Sequence, residues 1–537
     1  MSDQLVLHNG IIYLGDGMFS NALLIQDGRV KAYGSDADII GMANSGAQLV
    51  NLRQSAAVPG LNDSHMHLLG VAKQLNCVQL NDCTSLEGMV ERCRKYCSEH
   101  RGEPGFIEAK GWNQELFCDE ARIPDRFDLD RASTDMPIAA ARVCGHITSC
   151  NTKALEVAGI TADTVVPGGK VVLGDDGKPN GILLERAGRL IWDLIPEPSE
   201  KELAEMLREA MEYAASVGLT SVQTNDLREE NYSKVHAAYS SLFSGGRTPI
   251  RITHQIRFAD AGKLEKFLDN PDFMHVSGYH SFNLIKLLID GSLGAHTALM
   301  RRPYADSLST FGVATMTQEY LDRMVAICQE HGKPVGVHAI GDGGIEMVLN
   351  SFERYDTSNV DRLRHAVIHC QITGEDQLKR IKESDVLVYA QPVFLNSDWR
   401  ICAKRVGPEL EKTSNAFGTL LRGIGHRLSY GTDSPVESLR PVDNIHCAIN
   451  RTDLSNQPKG GYFPAEVVSV QQAVDAYTAH SAYASGEEDV KGKLFADYFG
   501  DVTVFDRDIF SAPANQMNKT EVAMTITGGE IVYQKRT

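Results

Sequence analysis

Long apolar runs are missing. No stretch approaches the roughly 18 uncharged apolar residues a membrane-spanning helix needs, so none is expected. Positive charge is short: 53 Lys and Arg stand against 70 Asp and Glu, a formal net charge of −17. That balance argues against a polyanionic partner such as nucleic acid unless a basic patch exists. The densest basic stretches, such as Lys379–Lys382, carry only three charges. The opening residues Met1-Ser2-Asp3-Gln4-Leu5 lack the basic segment and apolar run of a secretory signal. Paired CxxC motifs are also missing. Of the eleven cysteines, Cys93 and Cys97 form a CxxxC and Cys144 lies near Cys150, and neither pair has the spacing of a structural zinc site. Reduced thiols and a cytoplasmic protein are the expectation. The expected partners exclude nucleic acid and membrane.

What is present is ordinary soluble composition: 42% hydrophobic and 23% charged residues over 537 positions, enough for a sizeable core. At roughly 150 residues per domain, that length predicts about three or four domains, unless one large barrel absorbs much of it. Both ends read as short strands. Leu5–Leu7, Ile11–Tyr13, Ala22–Ile25 and Val30–Tyr33 are separated by Asn-Gly, Gly-Asp-Gly and Asp-Gly, which suit hairpin turns. Val502–Phe505, Val522–Ile526 and Ile531–Tyr533 repeat the pattern, with Gly528-Gly529 between the last two. One small β-sandwich shared by the termini is expected.

Between the ends, eight buried strands are expected: Ala56–Pro59, Thr220–Thr224, Arg251–Ile256, Leu284–Ile289, Pro334–Val337, Ala366–Ile368, Val386–Ala390 and Leu428–Tyr430. Amphipathic stretches such as Glu319–His331, Gly344–Tyr355 and Gly374–Glu383 follow several of them. Strands alternating with helices predict an α/β fold, a (β/α)8 barrel. Leu75–Glu202 breaks the rhythm and reads as an insertion after the first barrel strand. The expected boundaries are 1–56 with 485–537 for the sandwich, 57–74 with 203–484 for the barrel, and 75–202 for the insertion.

The chemistry starts at Val58-Pro59-Gly60-Leu61-Asn62-Asp63-Ser64-His65-Met66-His67. Alternate side chains of an extended chain share a face, so His65 and His67 are aimed at one point, as a shared metal requires. His338 ends a later strand, His369 ends the next, and Asp433 follows another in Gly431-Thr432-Asp433-Ser434-Pro435. Lys286 sits inside the apolar run Leu284–Ile289, where an unpaired ammonium is expensive. Barrels place reactive groups at the C-terminal ends of their strands.

This order of residues resembles the amidohydrolase superfamily, and within it the amidohydrolase 3 branch, which includes N-substituted formamide deformylase. The matching stretches run from Pro59-Gly60 to Asp501. They include Gly111-Trp112-Asn113-Gln114, Gly145-His146 with Asn151, Asp290-Gly291-Ser292-Leu293-Gly294, His338-Ala339-Ile340-Gly341-Asp342 and Gln391-Pro392. The resemblance implies a metal-dependent barrel beside a composite β-sandwich. It implies metal ligands His65, His67, Lys286, His338, His369 and Asp433. It further implies a Lys286 carbamate bridging two divalent ions, zinc first by ligand type, with manganese, iron and cobalt open. An ordinary Lys286 paired with Asp290, beside one ion, is the alternative.

The implied reaction is hydrolysis of a carbon–nitrogen bond other than a peptide bond, in an N-acyl or N-formyl amine or a cyclic amide. Metal-activated hydroxide attacks, with Asp433 as general base and then acid. Deamination, carbamate or ester hydrolysis in the same site, and a catalytically weak metal-stabilised binding or regulatory protein, stay open. His146, Trp112, His296 and Gln391 are the candidate substrate contacts. A homodimer is expected from the relatives. Four positions depart from the family pattern: Asn113, Cys144, His296 and the Val367-Ile368-His369-Cys370-Gln371 segment. None removes a metal ligand; all bear on the substrate pocket.

Overall fold

A computed structural model describes residues 4–102, 105–270, 279–355 and 363–536. The chain divides into two compact units, residues 71–206 and the remainder. Among the described residues, no helix is long and apolar enough to cross a membrane.

The larger unit holds an eight-stranded parallel sheet in which each strand pairs with its neighbours in sequence. Its strands, numbered 1 to 8 around the barrel, are Leu61–Met66, Leu219–Thr224, Arg251–Arg257, His280–Leu288, Val335–Ala339, Ala366–His369, Leu387–Ala390 and Leu428–Tyr430. Strand 8 returns to strand 1 through backbone hydrogen bonds just beyond its end. Asp433 N donates to His65 O, and His67 N donates to Ser434 O, each at 2.8 Å. The helices form as the periodicity predicts. Gln318–Glu330 is capped by Thr317 Oγ1, which accepts from Tyr320 N, and it buries Leu321, Met324, Val325 and Cys328, one face at helical spacing.

The first expected barrel strand is corrected. Ala56–Pro59 lies in the sandwich, antiparallel to Val502–Phe505 and parallel to Ile11–Gly15. Barrel strand 1 begins after it, at Leu61. A short, wholly buried apolar run reads the same in either sheet, so the run alone did not discriminate. Gly60 marks the passage: a Cβ there would lie 2.1 Å from Thr220 Oγ1 on barrel strand 2.

Two sheets complete the sandwich. One orders Arg29–Gly34, Ala22–Gln26, Gln4–His8 and Gln48–Asn51. The other places Glu530–Gln534, Val522–Thr527 and Val502–Phe505 beside Ala56–Pro59, Ile11–Gly15 and Met18–Ser20. Both termini therefore share one sheet. Leu7, Ile12, Leu23 and Ile25 from the first part pack with Val502, Val504, Met524 and Ile526 from the last. The hairpin dipeptides Asp16-Gly17, Asp27-Gly28 and Gly528-Gly529 all have positive φ, as primed turns require, whereas Asn9-Gly10 closes no hairpin, because Gln4–His8 and Ile11–Gly15 enter different sheets.

The smaller unit carries its own six-stranded sheet, from Gly169–Leu173 at one edge to Val78–Gln79 at the other. Helix Leu86–Glu99 turns Met89, Cys93 and Cys97 into a core with Trp112, Leu129 and Ile138. The CxxxC pair is thus packing, and all eleven cysteines are free thiols.

Candidate metal centre

The centre is built where strands 1, 4, 5, 6 and 8 end. On strand 1, His65 is buried and His67, two residues on, is partly open. Their Nε2 atoms lie 3.5 and 3.2 Å from Asp433 Oδ1. These three residues offer donor atoms all within 4.8 Å of one another. Lys286 Nζ, from strand 4, is 3.4 Å from His65 Nε2. The His369 ring centroid is 5.7 Å from that of His65 and 4.4 Å from that of His338. The structure brings all six residues to one region at the C-terminal ends of the strands. His369 and Asp433 take left-handed backbone, φ 76° and 56°, which swings both side chains from the strand ends toward the others.

Each histidine has one nitrogen committed to the protein. Gln255 Oε1 is 2.6 Å from His65 Nδ1, and Gln255 Nε2 donates to Ser64 O, which fixes the amide orientation. Gln391 does the same for His369: Oε1 is 2.8 Å from Nδ1, and Nε2 donates to Tyr389 O. His67 Nδ1 donates to Asn225 O at 3.1 Å. These acceptors hold the proton on Nδ1 and leave the Nε2 lone pairs of His65 and His369 for a metal, while His67 Nε2 faces Asp433 Oδ1. His338 is reversed. Its Nε2 faces Gly291 O at 3.1 Å and Asp290 Oδ1 at 3.5 Å, leaving Nδ1 as the open donor.

The ionisation states suit cation binding. Burial pushes His65 and His338 well below the ordinary imidazole range and His369 to about 4, with the charge of Lys286 contributing to each. They are neutral imidazoles at pH 7, the form in which histidine can bind a metal. Burial opposes the charge on Asp433, but the hydrogen bond from His67 and the electrostatic coupling to His369, His65 and His67 hold it well below the carboxylate range. His67 is raised by the same pairing despite its burial. Burial lowers the Lys286 amine to about 7, against the opposing pull of Asp433. The pairing of Lys286 with Asp290 is not found. Both Asp290 oxygens accept backbone amides, from Leu299, Ile340 and Gly341. A buried set of fixed imidazoles, one carboxylate and one amine of lowered basicity fits divalent ions.

Three supporting residues escaped the sequence reading. Gln255 and Asn225 orient the HxH pair from strands 3 and 2. Asp63 accepts from Thr432 N, Thr432 Oγ1 and His65 N, clamping strand 1 to the segment carrying Asp433. Gly431 belongs to that clamp: a Cβ there would lie 2.5 Å from His65 N.

The other candidates lie as follows. Gln391 is buried, its amide occupied by His369 and Tyr389. His296 follows strand 4 in a triad, with Nε2 2.9 Å from Asp306 Oδ1 and 2.8 Å from Arg405 Nη1. Trp112 is buried in the core of the smaller unit, its indole N–H donating to Ala140 O at 2.9 Å. His146, in the same unit, is exposed, with Nδ1 3.0 Å from Glu185 Oε2.

Comparison with known proteins agrees with this architecture. The amidohydrolase family profile, of the amidohydrolase 3 type, matches residues 48–533. A Bacillus subtilis (strain 168) protein named as an amidohydrolase, YtcJ, is 31% identical over 99% of both chains. The N-substituted formamide deformylase of Arthrobacter pascens is 24% identical over 96% of this chain and 95% of its own. The crystal structure of an uncharacterized metal-dependent hydrolase from Pyrococcus furiosus superposes with a TM-score of 0.74 at 28% identity, covering 95% of this chain and 100% of that one. Fold, ligand order and full-length similarity coincide, and the chain belongs to the amidohydrolase family.

Proposed function

We propose that the protein is a metal-dependent hydrolase of a carbon–nitrogen bond other than a peptide bond, in an N-acyl or N-formyl amine or a cyclic amide. One observation carries this reading. Four histidines, each with one nitrogen committed to a protein acceptor, converge with Asp433 and Lys286 at the barrel mouth. His65, His67, His338, His369, Asp433 and Lys286 would hold one or two divalent ions, with zinc suited to the imidazole-rich set. Such an ion supplies a Lewis acid for the substrate carbonyl and a source of hydroxide at neutral pH.

The chain's own residues do the rest. Asp433 Oδ1 faces the two histidines of strand 1, and Oδ2 has no hydrogen-bond partner among the described residues. As a weakly basic but ionised carboxylate, Asp433 takes the proton of the attacking water on Oδ2 and returns it to the departing nitrogen. Lys286, buried with no carboxylate within 4 Å among the described residues, has an amine that is partly neutral near pH 7. That neutral nitrogen can add to carbon dioxide and release a proton, giving a carbamate that binds cations as an anion.

The test is amine release by metal-replete protein from a panel of N-acyl amines, N-formyl amines and lactams, alongside esters and amino-heterocycles. Turnover of amides, lowered about 100-fold or more by Asp433→Asn, is the expected result. Turnover confined to esters or amino-heterocycles, or an Asp433→Asn enzyme as fast as the parent, defeats the reading. Metal analysis tests the carbamate: two ions per chain should fall to one in Lys286→Ala, and one ion in both, unaffected by bicarbonate, refutes a bridge.

A further inference from the structure

Two arginines at the barrel mouth have no ion-pair partner among the described residues. Arg257 ends barrel strand 3, and Arg228 lies just past barrel strand 2. A parallel bridge joins them: Arg257 N donates to Leu227 O at 2.9 Å, and Glu229 N donates to Arg257 O at 3.1 Å. Both are half-buried. Neither guanidinium has a hydrogen bond or ion pair among the described residues, whereas Arg364 and Arg405, of the same partial burial, are both paired with carboxylates. A guanidinium offers five donors and does not lose its charge, so a half-buried one without an acceptor is unfavourable. The nearby acids do not answer it. Glu229 accepts from Ala259 N, Asp260 N and Lys263 Nζ, and Glu230 is exposed.

The placement is specific. Gln255 reaches His65 from strand 3, and Arg257, two residues on, shares its face. Arg257 is the register partner of Lys286 on the adjacent strand, about 4.8 Å away. It also lines a cavity of about 460 Å³ together with Phe258, Leu288, Met316 and Tyr320. Leu288 in turn pairs in register with His338. An apolar-walled cavity with one convergent cation thus borders two metal-ligand strands, the composition of a small-molecule site.

We propose that Arg257, with Arg228 beside it, binds a carboxylate of the substrate, so that the enzyme takes amides carrying an apolar body and a carboxylate away from the scissile bond. This rests on the amide-hydrolase reading and narrows it to a substrate class. Neither the overall charge of −17 nor any motif in the sequence points to it.

The experiment uses N-formyl, N-acetyl and N-benzoyl amino acids and the matching carboxamides, which differ only in the charge. Equilibrium binding to the metal-loaded full-length protein is measured, with turnover followed in parallel. The acids should bind roughly 10- to 100-fold more tightly than the carboxamides, as expected for charge-assisted hydrogen bonds. Arg257→Gln and Arg228→Gln should each shrink that ratio, and Arg257→Lys should keep part of it, since lysine supplies charge without the fork. Thermal melts establish that the variants fold, and Arg228→Gln carries the test if Arg257→Gln does not. The proposal is overturned if no acid binds, if wild type binds acids and carboxamides equally, or if the ratio survives in the folded variants. Discrimination that disappears in the variants supports the anion subsite even where no probe is hydrolysed; that outcome would count against amide hydrolysis alone.

Discussion

Gln255 offers the sharpest test of how the centre is held. Its side-chain oxygen accepts from His65 Nδ1 at 2.6 Å, and its amide nitrogen donates to Ser64 O at 2.9 Å. Both partners are buried. Gln255→Leu keeps much of the volume but orphans one donor and one acceptor, each worth roughly 1–3 kcal/mol when buried and unpaired. The stability loss is therefore about 2–4 kcal/mol, allowing for partial relaxation. Beyond stability, the imidazole is no longer held with its proton on Nδ1, and loss of such an outer partner lowers metal affinity about 10- to 100-fold. Gln255→Glu separates the two effects. It keeps an acceptor for His65 but turns a carboxylate oxygen toward Ser64 O in place of the donor, so metal affinity should hold while stability falls. The assays are denaturant unfolding of the apoprotein and competition of the metal-loaded protein against a chelator of known affinity. A folded Gln255→Leu protein with wild-type metal affinity would refute the assignment of Gln255 as the residue that orients His65.

Two further predictions concern the fold. Gly60→Ala places a methyl group 2.1 Å from Thr220 Oγ1 at the passage between sandwich and barrel, and overpacking of that kind costs about 1–3 kcal/mol; an unchanged unfolding midpoint would show that the passage is looser than described. His365, buried between strands 5 and 6 and accepting Val335 N on Nδ1, is pushed down to about 4 by burial. The unfolded chain therefore binds the extra proton between pH 6.5 and 4, and stability falls on acidification through that window, by roughly 2 kcal/mol at pH 5 from this residue. Denaturant unfolding at pH 7 and pH 5 should show a smaller difference for His365→Gln than for wild type, and equal differences would exclude His365 as a source of acid sensitivity.

Much of the site was legible because its chemistry is local. The HxH of strand 1 is a two-residue pattern on an extended chain, and Lys286 stood out as a charge inside an apolar run. His338, His369 and Asp433 each sit at the end of a β-like run, where barrels carry their reactive groups. The hairpin dipeptides at both ends announced the sandwich strands by their backbone chemistry. Ala56–Pro59 was harder. A four-residue buried run carries no mark of which sheet receives it, and only the close approach of Gly60 to Thr220 separates sandwich from barrel.

The sequence by itself determined which elements form and which residue types stand ready for a metal, since both depend on neighbours a few positions away. Tertiary structure decided how those residues are held. Gln255 lies 190 residues from His65, Asn225 lies 158 from His67, and Asp63 lies 369 from Thr432. No spacing rule links such partners, because strand pairing around the barrel sets their separation. The choice of nitrogen on each histidine, the lowered basicity of Lys286 and an Arg257 with no ion pair among the described residues arise only when burial and closure bring distant strands together.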